Sequence, residues 1–232
     1  RQRLRGRLCS QPDQQALIAM ADELLLSTAY FPPAGYMALI ARSRGVLIER
    51  EENYLKQTWR NRCLVMSANG PLPLIVPVLR GSFHKTAIRD LRIDNSRRWP
   101  ELHLRGIVSG YSAAPFFEFY FDMISGVVSR RHTFLLDLNS EALEAVCRAT
   151  GIDVPVGYTD RFEQEGTREN DYRYRITPKK ASEIPGYRDL PYTQVFGDKQ
   201  GFVAGLSIID MLLNNGPGTR ALLLRSLGAD NC

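Results

Sequence analysis

The chain has 232 residues, 44% hydrophobic and 24% charged, with a formal net charge of +5. That is the balance of a globular protein with a real core, in one large domain or two small ones, and no apolar run approaches the ~20 residues a membrane helix needs. Arg1, Arg3, Arg5 and Arg7 against Asp13 put +3 into residues 1–19 and leave +2 for all the rest, so nucleic acid is not an expected partner.

The chain opens on Arg1, and "MADELLLSTAYF" from Met20 reads as a natural start running into a first strand. Residues 1–19 are therefore expected to be a disordered or non-native extension. Asp22 and Glu23 interrupt the only apolar region a signal peptide could use. Leu24–Ser27 reads as a short apolar strand, "YFPPAG" as a turn, Ala34–Arg42 as a helix and Val46–Glu49 as a second strand. Strand, turn, helix and strand in that order make a βαβ unit with parallel strands, and ligands of such units bind where the first strand hands over to the helix.

The segment after the second strand carries Glu49, Glu51, Glu52, Asn53, Tyr54, Lys56, Trp59, Arg60, Asn61 and Arg62. Lys56, Arg60 and Arg62 have the chemistry to hold a phosphate or carboxylate, Trp59 and Tyr54 offer flat faces, and Asn53 and Asn61 both donate and accept. The plainer alternative is a polar connector whose cations pair with Glu49, Glu51 and Glu52 at the surface. Residue chemistry leaves both open.

Asn61–Ser67 and Leu72–Leu79 flank "ANG" and predict a hairpin, with Pro71, Pro73 and Pro77 marking the second arm as an edge strand. Ser96–Gly110 and Pro115–Ser125 predict two helices. The second carries Phe116, Phe119, Tyr120 and Met123 on one stripe and Phe117, Phe121 and Ile124 on another, so it reads as a core helix rather than an aromatic platform. Asn139 or Ser140 is expected to cap a helix ending at Gly151, with Cys147 a core thiol. Residues 163–190 read as a surface excursion or as a lid closing Arg173, Arg175, Lys179 and Lys180 over an anion. Ser207 and Asp210 match a capping box.

P-loop, dinucleotide-binding and serine-hydrolase motifs are absent. Cys9, Cys63, Cys147 and Cys232 are scattered and read as reduced thiols, and His84, His103 and His132 lack metal-ligand spacing, so neither metal nor cofactor is expected. No general base stands out; Glu49, Glu51 and His103 are the weak candidates.

"LLLSTAYFPPAGYMALI", "VLIEREENYLKQTWRNRCLV", "PLPLIVPV", "YSAAPFFEFY" and "YTQVFGDKQGFVAGLSIIDMLLNNGP" resemble, in order and spacing, the WbqC-like protein family in the form found in Bacteroidetes-type bacteria. The resemblance implies a single α/β domain over residues 20–232, with an N-terminal βαβ unit, a mixed sheet and a largely helical C-terminal half. Family members occur among O-antigen and surface-polysaccharide genes, which implies a cytoplasmic transferase of nucleotide-activated sugars or amino-sugars, or else a non-catalytic binder or scaffold of that pathway. The implied small-molecule partner is a nucleotide-sugar or an acyl donor, and the implied wall is Tyr30, Tyr36, Asn53, Lys56, Trp59, Arg60, Asn61 and Arg62. A weaker likeness sets "PPAGY" beside the H-x-G-H turn of nucleotidylyltransferases, with Pro33 and Tyr36 at the histidine positions. Proline has no side-chain donor and tyrosine only a neutral one, so that chemistry would be lost or replaced.

Overall fold

The strand β1 (Leu24–Ser27), the helix α1 (Ala34–Arg42) and the strand β2 (Val46–Glu49) form the expected βαβ unit in a computed structural model that describes residues 23–79, 86–178 and 184–228. β1 and β2 pair in parallel from Leu24 with Val46 to Ser27 with Glu49. A strand not foreseen, β5 (Val156–Tyr158), joins the far side of β2, also in parallel, and makes β2 central. On the free side of β1 the backbone of Leu25 exchanges hydrogen bonds with Asn170 O and Tyr172 N, at 3.0 and 2.9 Å. Residues 170–172 thus lie along β1 as a further edge. The expectation for residues 1–19, and those for Lys179 and Lys180, fall outside the described residues.

The hairpin is present as β3 (Arg62–Ser67) and β4 (Gly70–Ile75), a separate antiparallel sheet, so parallel and antiparallel pairing are divided between two small sheets. Just past the end of β4, Val76 N donates to Asn61 O at 2.8 Å, the next pair in the same register. The helix α2 (Trp99–Tyr111) lies on this hairpin so closely that a Cβ at Gly110 would stand 2.3 Å from Met66 O.

α3 (Phe117–Ser129) is not the all-round core helix that its composition suggests. Ile124, Val127 and Val128 are its buried residues, whereas Phe119 is 77% exposed. Around that exposed ring, Phe117, Tyr120 and Phe121 are half-buried against the core, with Phe117 and Phe121 stacked on one another at a centroid distance of 4.7 Å. α4 (Leu135–Thr150) begins a full turn earlier than expected. Asn139 and Ser140 are therefore interior helix residues, not caps, and their side chains bond to Arg60 O and Leu136 O. Gly151 closes the helix in the left-handed region at φ +66°, a conformation that suits a residue without Cβ.

α5 (Gly197–Gln200), α6 (Ile208–Asn215) and α7 (Thr219–Ser226) complete the helical C-terminal half. Ser207 caps α6, accepting from Ile209 N, but Asp210 does not close a capping box. Its buried carboxylate instead accepts from Tyr111 and Tyr192 hydroxyls at 2.8 and 2.5 Å and from Gln194 Nε2 at 3.0 Å. Burial raises its pKa, as expected for a carboxylate whose partners are neutral. Among the described residues no helix is long and apolar enough to cross a membrane.

Candidate ligand-binding site

The turn after β1 is the natural ligand position of a βαβ unit, but the chain covers part of it with its own backbone. Ala34 N at the start of α1 donates to Leu206 O, Ile208 N donates to Pro32 O, and Ser207 Oγ donates to Phe31 O. The helix N-terminus is thereby occupied by residues 206–208 rather than left open to an anion.

The carboxyl end of the sheet is filled by buried ion pairs. Arg60 grips Glu52 with both arms of its guanidinium, at 2.8 and 2.6 Å, and also donates to Ser27 Oγ at 2.6 Å. Arg173, fully buried, donates to both oxygens of Asp171 and to Glu49 Oε2 at 2.9 Å. Ser27 Oγ donates to Arg173 O and joins the two halves. Glu49 also accepts from Thr159 Oγ1 and from Glu51 N. Each guanidinium has a matched carboxylate fork, which is what lets such charges stay buried. Arg173 is thus a floor residue and not a lid cation; Arg175 is exposed and lies over the Tyr172 ring.

Beside this floor opens a cleft of about 750 Å³. One wall is α4, which presents two rows at helical spacing: Asn139, Leu143 and Cys147 inside, Ser140, Glu144 and Arg148 outside. The opposite wall is the sheet face, where Ile48 of β2 is in register with Tyr158 of β5 and Val156 lies two residues along. Thr28, Ala29 and Tyr36 reach the cleft from the β1–α1 side, and Arg130 stands among its lining residues. Tyr158 donates to Ser140 Oγ at 2.7 Å, and this bond separates the cleft from a second one of about 440 Å³ beside Arg50 and His132.

The expected wall is dispersed. Tyr36 lines the cleft, although its hydroxyl already donates to Ser27 O at 2.9 Å and burial raises its pKa. Trp59 and Arg60 face an adjoining recess of about 10 Å³, near the room that one water needs. Tyr30 is in the core, hydrogen-bonded to His103 Nδ1 at 3.0 Å, and Asn61 is buried with its Nδ2 on Val76 O. Arg62 opens β3, half-buried, while Lys56 and Asn53 are exposed, the latter bridged to Ala87.

The candidate bases are spoken for. Glu49 is held by Arg173, Glu51 pairs with Arg89 and Arg50, and burial lowers the pKa of His103 to about 4, so its ring is neutral. Cys147 sits half-buried on the cleft wall rather than in the core, and burial pushes its thiol up to about 11. Among the described residues no group of three or more His, Cys, Asp or Glu is placed to hold a metal.

Residues 28–183, which carry the whole cleft and all of the floor but Ser27, match the WbqC-like protein family. The chain belongs to that family. A relative among curated proteins, the uncharacterized protein Rv1507c of Mycobacterium tuberculosis, is 29% identical over 226 residues, covering 85% of this chain and 95% of its own. No solved structure gives a significant match. In this WbqC-like chain, reading Asn139 as a cap hides the α4 wall from the sequence. The usable signal was the i, i+4, i+8 row that begins with a polar amide and continues with Leu143 and Cys147.

Proposed function

We propose that this WbqC-like protein is a cytoplasmic transferase of surface-polysaccharide biosynthesis that takes a nucleotide-activated sugar or amino-sugar in the cleft between α4 and the parallel sheet. The observation that carries the reading is the cleft itself. About 750 Å³ lies in the range of small-molecule sites, and it runs along the face of a parallel sheet as far as Thr28 and Ala29, just past the carboxyl end of β1, the end at which ligands of α/β proteins bind. Tyr36 lines that cleft. Arg60 moves to a supporting role, because Glu52 and Ser27 already occupy its guanidinium. Exposed Arg148 and Arg130, at the solvent side, are the cations free to turn toward a diphosphate. Neither is buried, so leaving Glu144 or Glu141 costs them little.

One observation favours a second reading, a non-catalytic binder or scaffold of the same pathway. Cys147 keeps its proton, and the weak base candidates Glu49, Glu51 and His103 are paired or neutral. The test is a thermal-shift panel of nucleotide-sugars and acyl donors, followed by mass spectrometry of the reaction mixtures. Binding with a mass change on an acceptor supports the transferase. Binding without turnover across the panel favours the scaffold, and no binding by any nucleotide-sugar overturns both.

A further inference from the structure

We propose that Asn139 is the residue with which the cleft selects its ligand, by accepting an amide-type N–H on the ligand's inner end through Oδ1. The inference rests on the reading of this cleft as the nucleotide-sugar site. Asn139 is 1% exposed and lies on the cleft wall. Its Nδ2 donates to Arg60 O at 2.7 Å, and a carbonyl can only accept, so the amide has one orientation. Oδ1 is then the free end, and it is buried without a partner. Native proteins leave few such atoms unpaired, and those that remain mark a strained or functional place.

An orphaned oxygen alone would not carry the argument. Asn61 has the same arrangement, Nδ2 on Val76 O and Oδ1 unpaired, but lines none of the described cavities. The position of Asn139 makes the difference. Arg60, whose carbonyl holds the amide, is itself fixed by Glu52 and Ser27, so the acceptor is preorganised from behind. On the inner walls of the same cleft Leu143, Ile48 and Val156 are apolar, and the hydroxyls of Tyr36 and Ser140 already donate to Ser27 O and Leu136 O.

Those surroundings select the kind of donor. A hydroxyl set against Oδ1 would bring lone pairs that these neighbours leave unsatisfied. An N–H next to a carbonyl brings no such lone pair on nitrogen, so it leaves nothing unsatisfied at the point of contact. Two parts of a nucleotide-sugar have this chemistry, the acetamido N–H of an N-acylated amino-sugar and the imide N–H of a pyrimidine base.

The full chain should be titrated with UDP-N-acetylglucosamine, UDP-glucose and UDP-N-acetylglucosamine carrying an N3-methylated uracil. Loss of the read N–H should weaken binding at least about tenfold, because the buried acceptor is then left facing carbon. A deficit in UDP-glucose assigns the donor to the acetamido group, and a deficit in the N3-methylated ligand assigns it to the base. Asn139→Leu, if folded by circular dichroism, should bind the discriminating pair within about twofold of each other. A folded Asn139→Leu that still discriminates overturns the proposal. So does wild-type binding of all three ligands within about twofold, an outcome that leaves the nucleotide-sugar reading standing. Failure of every ligand to bind overturns that reading and this inference together.

Discussion

Two sets of polar side chains flank the parallel sheet, the floor at its carboxyl end and the α4 wall along its face, and are built on opposite terms. In the floor, Arg60 and Arg173 are buried against Glu52, Asp171 and Glu49, and their guanidinium donors are matched to carboxylate oxygens. On the α4 wall, Arg148 is 75% exposed, its pairing with Glu144 is an ordinary helix-surface contact, and Asn139 Oδ1 has no partner at all. Charge type and spacing do not separate the two. Saturation does: the floor is a closed network, whereas the wall keeps hydrogen-bonding capacity beside a cavity, which is what the proposed ligand would use.

Breaking the floor should have the largest effect. Arg173→Met strips both Asp171 and Glu49 of their fully buried counter-charge, and should cost about 3–5 kcal/mol in urea denaturation. The segment 170–172 is expected to lose its hold on β1 in the same variant, read as faster amide exchange at Leu25 and Tyr172. A loss under about 1 kcal/mol would show that the network is dispensable and that closure is no guide to structural role.

His103 sharpens the rule from the other side, because it is buried with no counter-charge and stays neutral. The unfolded chain takes up a proton near pH 6.5, whereas the folded chain refuses it until about pH 4. Stability from this residue is therefore whole above pH 6.5, declines as pH falls toward 4 and is level below that. The span is about 3 kcal/mol. His103→Gln, which can still bond to the Tyr30 hydroxyl, should flatten that part of the pH–stability curve relative to the wild type. An unchanged slope in a folded variant would mean that His103 already titrates normally.

The same contrast explains what the sequence revealed. The βαβ unit has the expected bounds because a short apolar strand, a proline-rich turn and an amphipathic helix are local signals. Pairing of the acidic and basic residues after β2 was legible as a possibility, but not its depth. Glu52 lies eight residues from Arg60, whereas Glu49 is closed by Arg173, 124 residues away. β5 and the 170–172 edge were invisible for a similar reason, since each is short and exists through partners distant in the chain. The aromatic half of α3 misled because composition gives a helix its apolar faces but not the neighbours that cover them.

Arg148→Ala probes the open side, where the effect on stability should be the smallest. The lost contact is an exposed i, i+4 pair, so the unfolding free energy should move by no more than about 0.5 kcal/mol. Affinity for a nucleotide diphosphate sugar should nonetheless fall about three- to tenfold, and the remaining binding should depend less on salt than in the wild type, because one exposed charge no longer attracts the diphosphate. Calorimetry of wild type and variant at low and at physiological salt reads both quantities. If binding and its salt dependence stay unchanged, the diphosphate does not lie at Arg148. The cations to test next would then be Arg130, which pairs with Glu141, and Arg50, which borders the second cleft beyond Tyr158.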